Sequence, residues 1–206
     1  IYSQMVKICG IGESQVEDDI KDLIKKQKNP TIAPYAKTGE VHLRVTARAK
    51  DEKEAKKMCK PIVRELKARF GKNIYAAEEE KTLEDAVVEL LASQNLTLAA
   101  AESCTGGMLA ARIVNVPGAS KVLKEGFVTY SDRAKRKRLL VKKGTLAKEG
   151  AVSSKTAKEM AKGGCFASGA DVCISITGIA GPDGGSKEKP VGTVFMGCCY
   201  KGDVYV

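Results

Sequence analysis

Apolar positions recur along this chain with two periods, and the change from one to the other marks its elements. Met5 to Cys9 form a short apolar run, and Val16, Ile20, Leu23 and Ile24 follow at helical spacing. Ser14 is placed to cap that helix, with Glu17 three positions on, and Asn29-Pro30 ends it. Thr31 to Ala36 and Val41 to Ala47 read as strands joined by Lys37-Thr38-Gly39-Glu40, the second with clear period-two alternation. Asp51 is placed to cap a helix that carries Ala55, Met58, Cys59, Ile62, Val63 and Leu66 on one face and closes at Gly71. Ile74 to Ala76 supply a last strand. This order predicts a small split α+β domain over residues 1–77, KH-like or ferredoxin-like, with two helices on one face of an antiparallel sheet.

Glu78-Glu79-Glu80-Lys81 is a polar break and predicts a boundary, with a second domain over residues 81–206. Leu83, Val87, Leu90 and Leu91 predict a helix leading into it. Strands are then predicted at Leu96 to Ala101, Gly126 to Tyr130, Val172 to Thr177 and Val191 to Tyr200, and helices at Gly106 to Val114, Asp132 to Leu140 and Ser154 to Ala167. Near-continuous apolar runs in the last two strands read as strands covered on both faces. The prediction is a three-layer α/β/α domain with a mixed, mostly parallel sheet.

Composition agrees with two modest cores: of 206 residues, 43% are hydrophobic and 29% charged. No run approaches the roughly 20 apolar residues of a membrane helix, and Ile1 to Met5 lack the features of a signal peptide. A soluble, cytoplasmic protein without membrane partners is expected. Seven cysteines include no Cys-x-x-Cys pair, and His42 is the only histidine. Zinc spacing is therefore absent, no metal is expected, and a histidine-based triad is disfavoured. Cys165, Cys173, Cys198 and Cys199 lie among apolar and small residues and read as buried, reduced thiols.

The formal net charge of +10 lies mostly before residue 78. Such an excess suits a nucleic-acid or phosphate ligand. In Lys21 to Lys28 and Lys53 to Lys72, however, cations alternate with acids at helical spacing, as solvated helix faces do. A KH module that binds nucleic acid needs a Gly-x-x-Gly loop between helices, and Gly10-Ile11-Gly12 has neither the spacing nor the position. Nucleic acid is not an expected partner.

Three segments carry candidate chemistry, each where a predicted strand ends and a helix or loop begins, the place where α/β sheets bind ligands. Leu96 to Ala101 runs into Glu102-Ser103-Cys104-Thr105-Gly106-Gly107. Ser103 there is either a nucleophile, with backbone N–H groups beyond it to hold an oxyanion, or simply a helix cap. The strand before Tyr130 leads to Ser131, a predicted cap, and Lys135 one turn later among Arg133, Arg136, Lys137 and Arg138. A partly desolvated lysine crowded by cations has a lowered pKa and can serve as a base; a solvated basic face is the alternative. Gly178-Ile-Ala-Gly181-Pro-Asp183-Gly184-Gly185-Ser186 follows a buried strand and suits an array of backbone N–H donors, or merely a tight loop.

Ala-Glu-Ser-Cys-Thr-Gly-Gly, Gly-Phe-Val-Thr-Tyr-Ser with Lys135, Gly-Ala-Val-Ser and Gly-Ile-Ala-Gly-Pro-Asp-Gly-Gly with Lys-Pro-Val-Gly-Thr-Val together resemble the carboxy-terminal domain of the CinA (competence/damage-inducible) family. The first part resembles the family's KH-like linker domain. The resemblance implies a nicotinamide-nucleotide amidase that needs no metal and no cofactor and hydrolyses nicotinamide mononucleotide in pyridine-nucleotide salvage. It implies Ser103 as nucleophile, Lys135 as base and Tyr130 as an orienting residue. Glu102, Thr105, Gly106, Gly107, Gly178, Gly181, Asp183, Gly184 and Gly185 are its implied substrate-binding residues, with backbone N–H groups near Thr105 and Gly106 on the oxyanion. Ser120, in the family-like Pro-Gly-Ala-Ser, is a rival nucleophile without an obvious base. A non-catalytic nucleotide-sensing or nucleic-acid-associated module is the other reading. The resemblance further implies an amino-terminal molybdopterin-binding-like domain in the longer protein, and a tail beyond Val206 with Ser-Gly-Asp-Arg and a final helix. A homo-oligomer is compatible with all of this.

Overall fold

A computed structural model describes residues 1–206. The chain forms two compact units, residues 1–86 and 87–206.

In the first unit β1 (Tyr2–Cys9), α1 (Glu13–Lys26), β2 (Thr31–Lys37), β3 (Glu40–Ala47), α2 (Glu52–Phe70) and β4 (Ile74–Ala76) follow in order. The sheet runs β2-β3-β1-β4 with every ladder antiparallel, so the split α+β order is of the ferredoxin-like kind. Alternation in β3 sends Val41, Leu43, Val45 and Ala47 into the core with Val6 and Ile8 of β1. The apolar stripes of α1 and α2, including Val16, Ile20, Cys59, Val63 and Leu66, close over them. The Asp51 carboxylate accepts from the Glu54 N–H at 2.8 Å and caps α2, as its position predicts. At α1 the expectation fails. Gly12 holds the cap position without a side-chain bond, and Ser14 already lies inside the first turn. His42 Nε2 lies 3.0 Å from Glu40 Oε2 and 3.2 Å from the Tyr75 hydroxyl. The buried Lys7 ammonium donates to the carbonyls of Glu79 (2.5 Å) and Lys81 (2.9 Å), fastening the polar segment after β4 to this unit.

Beginning within α3 (Leu83–Ser93), the second unit contains β5 (Leu98–Glu102), α4 (Met108–Val114), β6 (Leu123–Val128), α5 (Asp132–Leu139), α6 (Lys143–Glu149), α7 (Ser154–Ser168), β7 (Val172–Gly178), β8 (Val194–Tyr200) and β9 (Asp203–Tyr205). Its sheet order is β6-β5-β7-β8-β9, in which β5 pairs in parallel with β6 and β7 while β8 and β9 join antiparallel. Side chains of β5 divide between the faces. Ala99 and Ala101 pack with Phe127, Leu139, Met160 and Ala161, whereas Leu98 packs with Val88, Leu91, Ile113 and Val122. Helices thus cover both faces of the parallel part, the three-layer arrangement. Two glycines let α7 lie close: a Cβ on Gly163 would stand 1.8 Å from the Leu139 carbonyl oxygen, and one on Gly164 would stand 2.2 Å from Cys173 Sγ.

Three features depart from the sequence reading. The run ending at Tyr200 is not covered on both faces, since Val194 and Met196 are exposed. Leu90, expected on the apolar face of α3, is exposed, and Val88 is buried instead. The periodicity also did not reveal α6, whose sequence Lys-Gly-Thr-Leu-Ala-Lys-Glu has only Thr145 and Leu146 buried. It is held by distant polar groups: Glu159 of α7 accepts from the Lys142 N–H (2.8 Å) and the Thr145 hydroxyl (2.7 Å). All seven cysteines are free, with Cys173 and Cys199 buried and Cys165 and Cys198 half-buried. Burial pushes the Cys165 and Cys173 thiols well above their usual range, which keeps them protonated and unreactive. No helix is long and apolar enough to cross a membrane.

Candidate active site

Parallel pairing brings the carboxyl ends of β5, β6 and β7 together, and the candidate chemistry stands there. Ser103 follows directly after β5, and its N–H donates to the Ile176 carbonyl of β7 at 2.9 Å. Gly106 and Gly107, both at positive φ, then reverse the chain into α4. Ser103 is therefore not a helix cap: the cap position of α4 belongs to Gly107, and no side chain caps it by hydrogen bond. On the neighbouring strand the chain passes through Thr129 and Tyr130 into α5. The Ser131 hydroxyl caps this helix by accepting from the Ala134 N–H at 3.1 Å, which sets the rotation that turns Lys135 inward.

Lys135 is 1% exposed and Ser103 7% exposed, and Lys135 Nζ lies 2.8 Å from Ser103 Oγ. The same Nζ donates to the carbonyls of Thr129 (2.9 Å) and Tyr130 (3.0 Å). No carboxylate pairs with it. Burying an ammonium without a counter-ion costs several kcal/mol, and hydrogen bonds to two carbonyls return about 1.5–3 kcal/mol each at best. A neutral amine fits better: its two N–H groups satisfy the two carbonyls, and its lone pair is left to accept the Ser103 hydroxyl proton. Burial accordingly holds the Lys135 amine below its ordinary value of 10.5, against a smaller opposing effect of Asp132 and Cys104. Of the two causes expected from the sequence, desolvation accounts for the lowering and crowding by cations does not. Arg133, Arg136, Lys137 and Arg138 are not among the groups that shift Lys135, and all four are exposed to solvent.

Of the other expected residues, Tyr130 meets Lys135 through its carbonyl, and its side chain is 70% exposed. Glu102 is 1% exposed and spends its carboxylate on the N–H groups of Gly107 (3.2 Å), Leu109 (3.0 Å) and Ala110 (3.0 Å). It is sealed from any ligand, in contrast to its expected substrate-binding place. The Thr105 hydroxyl leans on that carboxylate without reaching the geometry of a full hydrogen bond. Gly106 N–H is also spent, on the Ser103 carbonyl at 3.0 Å, so it is not an oxyanion donor. Between Ser103 and Ala110 the amides of Cys104 and Thr105 alone have no partner in the protein. Gly178 belongs beside them: a Cβ there would stand 3.1 Å from Cys104 Sγ and 2.9 Å from the Thr193 carbonyl oxygen. Gly181, Asp183, Gly184 and Gly185 continue outward in the loop, and no hydrogen bond ties them to the Ser103 turn. Ser120 is exposed in a short 3-10 turn and has no basic partner. Sequence reasoning missed Thr129, whose carbonyl receives Lys135 and whose N–H and hydroxyl donate to the Glu102 carbonyl at 2.7 and 3.3 Å. A residue that acts through its main chain leaves no signal in side-chain chemistry.

The fold and the site define a class: an α/β protein with a buried serine–lysine pair where parallel strands end. The CinA C-terminal domain family matches residues 80–206, and the family described as the damage-inducible protein CinA KH domain matches residues 3–76. The chain belongs to the CinA family. It is 52% identical over 204 residues to a CinA-like protein of Dictyoglomus turgidum, covering 99% of this chain and 49% of the relative. It is 52% identical over 206 residues to a CinA-like protein of Kosmotoga olearia, covering 100% and 50%. The chain thus spans about half the length of the curated relatives it matches. A crystal structure of the competence/damage-inducible protein CihA from Agrobacterium tumefaciens superposes with a TM-score of 0.59 at 43% identity, covering 60% of this chain and 75% of that one. A CinA superfamily protein from Escherichia coli gives a TM-score of 0.58 at 41% identity, covering 63% and 77%.

Proposed function

We propose that the second unit is an amidase that hydrolyses the carboxamide of nicotinamide mononucleotide to nicotinate mononucleotide and ammonia. The observation that carries this reading is the buried 2.8 Å contact between Lys135 Nζ and Ser103 Oγ. Neutral Lys135 takes the hydroxyl proton as Oγ bonds to the carboxamide carbon, and the carbonyl π pair moves onto oxygen. The amides of Cys104 and Thr105 are the donors for that oxyanion. When the tetrahedral species collapses, the C–N bond breaks and Lys135 returns the proton to the leaving nitrogen, which departs as ammonia. Water then adds to the acyl-enzyme, Lys135 again moving the proton, and the carboxylate product leaves. The choice of a nicotinamide nucleotide rests on family resemblance; the dyad supports amide hydrolysis in general. The glycine loop beyond Gly178 and the exposed Tyr130 ring are the surfaces proposed to meet the nucleotide.

A non-catalytic sensing module would have no use for a desolvated lysine aimed at a serine hydroxyl, so the amidase reading is preferred. Ammonia release from nicotinamide mononucleotide, without added metal, tests it. The Ser103→Ala chain should lose on the order of 1,000-fold or more of the rate. Equal rates in the two chains, or no ammonia from the unaltered chain, would overturn the assignment.

A further inference from the structure

We infer that Glu102 is a positioning residue for the oxyanion donors, an inference that rests on the amidase reading for its kinetic consequences. β5 alternation places Glu102 on the face of the sheet that also carries Leu98, opposite Ala99 and Ala101. Its carboxylate is enclosed there and accepts three backbone N–H groups. Oε2 accepts from Gly107 and Leu109, and Oε1 from Ala110. Its own carbonyl accepts from the Thr129 N–H, while the next amide, Ser103, is held by Ile176. Burial alone would raise the Glu102 carboxyl; the Thr105 hydroxyl and these three N–H groups outweigh it and hold the group ionised below its ordinary value.

One residue therefore fixes both arms of the site. Through its side chain it ties the Ser103–Gly107 turn to the start of α4. Through its carbonyl it ties Thr129, whose own carbonyl receives Lys135 Nζ at 2.9 Å. By consuming the amides of Gly107, Leu109 and Ala110 it leaves those of Cys104 and Thr105 as the only uncommitted donors of the segment. A donor contributes to an acyl-transfer transition state only if it is unspent and does not need to reorganise as charge develops. Glu102 supplies both conditions without touching the reacting atoms.

The test compares the full chain with Glu102→Gln, Glu102→Asp and, as a surface control on β6, Glu125→Gln. Two readouts are used at a temperature where circular dichroism shows each variant folded: amide hydrolysis across pH, and the rate at which a fluorophosphonate labels Ser103. Glutamine must set an N–H₂ against at least one backbone N–H, so E102Q should lower kcat on the order of 10- to 100-fold, below the loss of a full oxyanion donor. KM should change less than about threefold, because Glu102 meets no substrate. Fluorophosphonate labelling should slow in parallel, and the pH inflection of kcat/KM, set by Lys135, should stay in place. Aspartate keeps the charge and should retain part of the lost rate; if E102Q does not fold, the E102D comparison alone carries the test, with a reduced kcat and unchanged KM expected. A kcat within twofold of the unaltered chain, or a loss confined to KM, overturns the inference. Ammonia release that persists at full rate in E102Q sinks the positioning role and leaves the amidase standing. Slowed labelling in E102Q, with no ammonia from the unaltered chain, does the opposite.

Discussion

Lys135 carries the sharpest consequence of a single residue's surroundings. Its amine is held below 10.5 by burial, so the folded chain gives up a proton that the unfolded chain keeps. Between the folded and unfolded values the unfolded state binds more protons, and stability therefore rises with pH through that window and levels off above 10.5. Below the folded value the cost of the buried charge is fully present. Urea midpoints of the unaltered chain should climb from pH 7 towards pH 10 relative to those of Lys135→Met, which has no amine to titrate. A constant gap between the two would show that Lys135 is not depressed. For the proposed amidase reaction, the same lowering should put the base-catalysed rise of kcat/KM below the ordinary lysine value of 10.5. A pH profile still rising steeply near pH 10 would contradict it.

Among elements, the packing of α7 against α5 and β7 shows how a small residue sets an interface. Gly163 admits the Leu139 carbonyl at a distance no Cβ tolerates, and Leu139 ends the helix that carries Lys135. Gly163→Ala should destabilise the second unit by about 1–3 kcal/mol, the usual cost of overpacking, and the displacement of α5 should lower Ser103 labelling as well. Differential scanning calorimetry and the fluorophosphonate rate measure the two effects. An alanine variant with wild-type melting would mean that α7 is free to move away. At this scale the sequence was readable wherever pattern and local chemistry agree. Asp51 and Ser131 cap the helices they were expected to cap, and the alternation of β3 matches its burial. It was unreadable where distant groups decide, as at α6, which depends on Glu159.

At the level of the whole molecule, the two units have separate cores, and every hydrogen bond of Ser103 and Lys135 lies within residues 87–206. A fragment spanning residues 80–206, the range matched by the CinA C-terminal domain family, should fold and label at Ser103 at a rate within about threefold of the 206-residue chain, since additivity holds for sites with no shared partners. Loss of labelling in a folded fragment would assign the first unit a part in the site.

By itself the sequence determined which residues were candidates: a serine after a strand, a lysine one turn into a capped helix, and a glycine-rich segment after another strand. Those follow from local rules, since caps, turns and periodicity depend on residues a few positions apart. Tertiary structure decided the rest. Ser103 and Lys135 are 32 positions apart, and only the parallel pairing of β5 with β6 brings them within 2.8 Å. It also kept burial and dropped cation crowding, the two causes expected for a lowered lysine. Glu102 moved from expected ligand contact to a sealed position, and the uncommitted amides of the turn are those of Cys104 and Thr105, where the sequence had pointed to Thr105 and Gly106. The physical reason is common to all four. Desolvation and the spending of backbone N–H groups depend on what packs around a residue, and spacing along the chain does not encode that.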